Sequence, residues 1–261
     1  MSVLAITLNT FREAVRDKIL YVLTVFALAL ILASRAVGWV SYGGDVKIMT
    51  DLGLTAIWLF GAMVSIFIGT GMIYKEIDKR TLYAILSKPI ERWQFVLGKY
   101  GGLLLTTYVN LSVLSLVFLG YLWCMDAPVG LALFQALLLT YVEMMVVTAI
   151  AIFFSSASSP VLSAIFTSML FALGQLTKWI VELGGVVKFQ LPWVEKILYA
   201  VYLFMPNLHN FNVRQEAVHA AGRGAGVALP AEQILPALVY GVSYAAVLLL
   251  AAVLLFRRRN L

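Results

Sequence analysis

Residues 74–102 read YKEIDKRTLYAILSKPIERWQFVLGKYGG, an island of nine charged side chains in a 261-residue chain that is 62% hydrophobic and only 12% charged. Long apolar runs flank it on both sides. A water-facing domain carries about twice that share of charge, so this composition, with a mean hydropathy of +0.94, excludes a soluble domain. The formal charge of +6 gathers at the ends of apolar runs and does not line one face of a compact fold. That is the pattern of a membrane protein's cytoplasmic edge, and it leaves no nucleic-acid partner to expect. The lone Cys124 excludes an internal disulfide framework and a multi-thiolate metal site, so its expected role is packing.

Six stretches reach the roughly 20 apolar residues that a helix needs to cross the hydrocarbon layer. They run from Ile19 to Val40, Leu52 to Tyr74, Tyr100 to Trp123, Leu131 to Phe154, Pro160 to Leu183 and Pro236 to Phe256. Each must be helical, because lipid offers no partner to an open backbone amide. The first is too long for a cleavable signal peptide, and Ala33-Ser34-Arg35 within it is a poor cleavage site. The expected fold is therefore all-α and polytopic: an amphipathic interfacial helix over 1–18, then six transmembrane helices over 19–261. A charged loop occupies 75–99 and a long outer loop with a short helix occupies 184–233.

Lys and Arg flanking the spans set the orientation. With the amino terminus inside, the inner side holds Arg12, Arg16, Lys18, Lys75, Lys79, Arg80, Lys88, Arg92, Lys99 and Arg257 to Arg259. The short outer loops hold little beyond Arg35, Lys47 and Lys178. Both termini and the opening island are then cytoplasmic. Trp39, Trp123 and Trp179 fall at outer span ends, where an amphipathic ring prefers the headgroup layer.

Before the first span, Leu4, Leu8, Phe11 and Val15 recur at helical spacing, with Asn9, Arg12, Glu13 and Arg16 opposite. A short helix lying flat in the inner interface has this pattern, as a membrane foot or as a contact for a cytoplasmic partner. Within the island, Ile77, Leu82, Ile85 and Leu86 keep helical spacing up to Lys88. Pro89 disfavours helix at Lys88 and suits the first turn of a second segment, with Glu91 near its positive end. Gly98 and Gly102 form a small-xxx-small pair that permits close helix packing. A turn needs only a few residues, whereas this connection runs from 75 to 99 as helix, corner, helix. It is either a solvated loop that binds lipid headgroups or a docking element for a soluble protein.

Inside the spans, Glu143 is the costly residue, expected to face protein or to be protonated. It reads as a pathway contact or as an interhelical hydrogen bond. Asn110, Ser112, Gln135 and Gln175 read as interhelical glue, with Asn110 and Gln135 as further candidates for a pathway. Lys178 and Glu182 are expected to pair near the outer end. In the outer loop, Pro192 can open a helix with Val194, Ile197, Leu198, Val201 and Phe204 as its apolar stripe, too short to span. Gly222 to Gly226 forms a flexible link. His209 and His219 lack acidic or thiol neighbours in sequence, so no metal site is expected.

The run from Glu76 through KRT and ILSKPIERWQFVLGKY resembles the first cytoplasmic loop of the type-2 permeases of ATP-binding-cassette transporters, including the permease associated with nitrous oxide reductase maturation. The amino-terminal FREAVRDKILYVL, the six-span layout and the MPNLHNF segment extend the resemblance over most of the chain. It implies that the loop carries a coupling helix docking on a separate cytoplasmic ATPase. Glu76, Thr81, Leu86, Ser87, Pro89, Arg92, Gly98 and Lys99 match the family's loop pattern. Arg80, Leu82 and Lys88 complete the coupling surface. Many members have Gly-Thr where this chain has Arg80-Thr81. The resemblance further implies a second copy of the chain or a similar permease as partner, an export direction and a place in the bacterial cytoplasmic (inner) membrane.

An ATP-driven pump needs a phosphate-binding loop, G-x-x-x-x-G-K-[ST], and the chain has none; Gly98-Lys99 is followed by Tyr100. ATP and Mg are thus expected on the partner, with no cofactor in this chain. A stand-alone secondary transporter or channel is the alternative, but it more often shows several intramembrane charges and broken helices. An intramembrane enzyme would need a set such as H-E-x-x-H or G-x-S-x-G, and neither occurs.

Overall fold

The computed structural model describes residues 3–38, 45–78, 91–179, 205–221 and 227–258, together with Trp193, Lys196 and Tyr199; at 72–78, Ala221 and 257–258 it describes the backbone only. Among these residues every regular element is a helix. In chain order they are α1 (Val3–Val15), α2 (Lys18–Gly38), α3 (Asp45–Asp78), α4 (Arg92–Cys124), α5 (Leu131–Ala157), α6 (Pro160–Gln175), a 3₁₀ turn (Leu208–Phe211), α7 (Arg214–Ala221) and α8 (Ala231–Arg258). Five helices, α2, α3, α4, α5 and α8, contain stretches long and apolar enough to cross a membrane.

Helix α5 is the centre. Apolar residues go all the way round it, and such a helix must be surrounded by protein or lipid. Here α8, α3, α4, α6 and α7 all pack on it, and Leu133, Leu139, Met144, Val146, Val147 and Ile150 are fully covered. Its apolar window is 72% buried, against 22% in α2 and 17% in α8. Those two helices are therefore the periphery, and their bare Val25, Phe26, Val242 and Leu250 face outward. A second, smaller core closes the end at which α3 finishes and α4 begins, where Phe95 of α4 stacks on Phe256 of α8 at 5.6 Å. Asp17 separates α1 from α2 and caps the latter by accepting a hydrogen bond from the Ile19 amide at 3.0 Å.

Three expectations need correction. Glu91, expected inside the second island segment, is extended and caps a helix that starts at Arg92, with Gln94 completing a capping box; Pro89 lies outside the described residues. That segment and the following span are one 33-residue helix, because Gly98, Gly101 and Gly102 weaken a helix without breaking it. The expected span from Pro160 to Leu183 is not one unbroken helix: α6 covers Pro160–Gln175, 16 residues or about 24 Å, a turn follows at Leu176, residues 177–179 are helical again, and 180–183 lie outside the described residues. The break falls where another part of the chain packs closely: a Cβ on Gly174 would lie 2.7 Å from the Pro206 carbonyl oxygen. The last helix starts at Ala231, ahead of Pro236, which sits inside it. Trp193, Lys196 and Tyr199 are helical and exposed. The rest of the expected loop helix, Trp39, Glu182 and the link at 222–226 lie outside the described residues.

Candidate functional site

The island's centre, with Arg80, Thr81, Leu82, Leu86, Ser87, Lys88 and Pro89, lies outside the described residues, and Glu76 is described only as backbone within α3. What is described is the socket around it. Arg92 on the first turn of α4 donates from Nη1 to the Phe256 carbonyl at 3.1 Å, tying α4 to the end of α8. Helix α1 has two working faces. Leu4 and Leu8 are exposed, as are Arg12 and Arg16, while Phe11 and Val15 are half-buried. The face between, Ile6, Thr10 and Ala14, is buried.

The glycine pair in α4 explains that burial. A Cβ on Gly98 would sit 2.7 Å from Ile6, and one on Gly102 would sit 2.5 Å from Thr10 and 2.6 Å from the Thr7 carbonyl oxygen. The close approach that small residues allow is therefore taken by the amphipathic α1. Thr7 Oγ1 donates to the Gly98 carbonyl at 3.2 Å across the same contact. Lys99, only 1% exposed, has its Nζ 3.9 Å from a Glu13 carboxylate oxygen and 5.9 Å from the Phe95 ring centre.

The candidate pathway residues do not come together. Asn110 on α4 donates to Thr24 Oγ1 of α2 at 2.5 Å. Gln135 on α5 clamps one residue: its Oε1 accepts from the Leu229 amide at 2.7 Å and its Nε2 approaches the Leu229 carbonyl at 3.5 Å. Ser112 meets Tyr141 at 2.9 Å. Asn110 and Ser112 thus bond between helices, whereas Gln135 holds Leu229 in the loop ahead of α8.

Glu143 is the exception, because four elements meet around it. It is 1% exposed, midway along α5. Its Oε1 accepts from Trp58 Nε1 of α3 at 2.9 Å and from Gln175 Nε2 at the end of α6 at 2.6 Å. The fourth contributor is Arg214 on α7, whose guanidinium lies 3.9 Å from the Trp58 ring centre, a close cation–π stack. Asn212 Oδ1 accepts from Arg214 Nε at 3.0 Å. Arg214 Nη1 is buried with no hydrogen-bond partner among the described residues. Burial lowers the Arg214 pKa, and the carboxylates of Glu143 and Asp51 act against that fall.

The segment that brings Arg214 here is anchored by its own side chains. Leu208 and Phe211 are buried, the Asn207 amide donates to Tyr240 Oη at 2.8 Å, and Thr177 Oγ1 bonds Asn207 Oδ1 at 2.7 Å. Above the Glu143 cluster a polar cavity of about 500 Å³ opens. Trp58, Gln175 and Arg214 form its deep wall, and Asp51, Lys178 and Glu216 are exposed at its rim. Trp179, 62% exposed, stands beside them. Sequence reasoning found Glu143 and Gln175 but missed Trp58, Asp51 and Arg214. A lone Trp amid an apolar span and a lone Arg in a polar loop carry no periodic signal.

Comparison with curated proteins gave no match. A family model described as "ABC-2 family transporter protein" matches residues 4–261. With five apolar helices of spanning length and a match across nearly its whole length, the chain belongs to the ABC-2 family of transporter proteins.

Proposed function

We propose that this chain is the permease subunit of an ATP-binding-cassette transporter, driven by a separate cytoplasmic ATPase that binds ATP and Mg. The observation that carries this reading is the family match over residues 4–261. The sequence has no G-x-x-x-x-G-K-[ST] run, which supports energy entering mechanically from that ATPase. The entry point in this reading is the loop between α3 and α4, with Glu76, Arg80, Thr81, Leu82, Leu86, Ser87, Lys88, Pro89 and Arg92 against the ATPase. The two rods leaving it, α3 and α4, are 34 and 33 residues long, about 50 Å each at the helical rise. Helix α4 carries α1 on its glycine face and α8 through Arg92, so a push on the loop moves three helices as one body.

In the same reading both termini are cytoplasmic, Pro160–Leu183 makes the sixth crossing, and two copies pair in the bacterial inner membrane. The direction is outward. The loop sequence, which resembles that of the permeases associated with nitrous oxide reductase maturation, supports a likeness to that group within the family. Glu143, hydrogen-bonded within the bundle, gives little support to a stand-alone secondary transporter.

The test is to purify the tagged chain from its native membrane and identify the soluble proteins retained with it. An ATPase subunit is expected. Replacing Arg80, Leu86 and Arg92 together by Ala should leave insertion intact and lower ATPase retention at least tenfold. Recovery of the chain without an ATPase, or full retention by the triple variant, refutes the reading.

A further inference from the structure

From the geometry around Arg214 we infer that the cavity beside α7 is a binding site for a small zwitterion, whose anionic oxygens lie on the Arg214 guanidinium and whose ammonium end lies at Asp51. Four formally charged side chains line this space, two of each sign: Arg214 and Lys178, Asp51 and Glu216. Among the described residues no ion pair joins any two of them. Opposite charges that face one space without closing on each other set a field across it. A dipolar guest lying along that field satisfies both ends.

The Arg214 end is built in advance. The Trp58 ring holds the guanidinium plane from one side, Asn212 holds Nε, and Nη1 is buried with no hydrogen-bond partner among the described residues, while Arg214 as a whole lines the cavity. A buried donor without a partner costs free energy until an acceptor arrives. A fork already immobilised loses little entropy on binding, and carboxylate or phosphate oxygens match its planar geometry. The charge count then selects among guests. A lone anion meets Asp51 and Glu216 in the same space, with Glu143 beneath already offsetting Arg214; a lone cation meets Arg214 and Lys178. A zwitterion avoids both penalties. About 500 Å³ lies within the range of small-molecule sites.

The site also has a mechanical connection. Helix α3 carries Asp51, Thr55 and Trp58 in the cavity wall and ends at Asp78, about 40 Å away at the helical rise. Occupancy thus acts on the same rod that enters the charged loop. Ligand binding at this site does not rest on the proposed function.

The experiment measures binding of glycine, glycylglycine and triglycine to the detergent-purified full chain by titration calorimetry, with acetate and methylammonium as single-charge controls. At least one of the three zwitterions should bind saturably, and at least tenfold more tightly than either control. R214Q should weaken that zwitterion at least tenfold. D51N, at the exposed rim where folding is not at stake, should weaken it at least threefold. R214K, which keeps the charge and loses the fork, should fall between wild type and R214Q. The inference is overturned by zwitterion binding unchanged in D51N, by acetate binding as tightly as the best zwitterion, or by no saturable binding of any zwitterion at 10 mM, a concentration of about 10⁻² M that would detect even weak sites of roughly millimolar Kd. Because no ATPase is present, failure here leaves the permease reading standing. Loss of ATPase co-purification would leave this site standing.

Discussion

Removing the Glu143 carboxyl is the perturbation whose cost follows most directly from the structure. In E143L the Trp58 Nε1 and Gln175 Nε2 donors lose their acceptor, and Arg214 loses a facing negative charge. Interhelical hydrogen bonds in membranes are worth about 0.6–1.7 kcal/mol each, less than burial alone would imply, because the unfolded-in-membrane state also finds partners. Two such bonds and one weakened charge contact together come to about 3 kcal/mol. At roughly 2–4 °C per kcal/mol for a chain of this size, E143L should melt about 6–12 °C below wild type in detergent. E143Q keeps an acceptor oxygen and loses the charge, so about 1 kcal/mol and a shift of about 2–4 °C are expected. The decisive measurement is a double-mutant cycle of W58F with E143L. The structure requires a coupling of about 1 kcal/mol, since either single change already breaks the bond. Additive melting shifts, or an E143L protein melting within 2 °C (below about 1 kcal/mol) of wild type, would show that the cluster is not held as described.

Two other contacts give equally direct expectations. G102L places atoms where Thr10 and the Thr7 carbonyl now lie, so α1 must leave its groove; hydrogen exchange of the α1 amides should accelerate several-fold in G102L, and an unchanged rate would refute the contact. Q135L removes the acceptor of the Leu229 amide, so hydrogen exchange at Leu229 should accelerate about tenfold, the equivalent of about 1.4 kcal/mol, and an unchanged rate would refute the clamp.

Five of the six expected spans, a helix start close to Glu91 though not its place at Arg92, and the small-residue face at Gly98 and Gly102 were legible in the sequence, because each answers a local demand. Lipid requires some 20 apolar residues in a row, a helix start needs an acceptor for its first amides, and close packing needs a missing side chain. Partners were not legible. Nothing local says that Gly102 receives the amphipathic α1, or that Gly174 receives the Pro206 carbonyl and the Leu208 side chain. The Glu143 cluster shows this most sharply: Trp58, Glu143, Gln175 and Arg214 stand on α3, α5, α6 and α7, far apart along the chain. Their meeting depends on how those helices pack, a long-range property that hydropathy and periodicity do not encode. Solvation by lipid and local hydrogen-bonding needs therefore settled the membrane class and most of its spans from sequence, while the polar cavity, its unpaired guanidinium nitrogen and the seat of α1 were decided only when the tertiary structure brought distant side chains into contact.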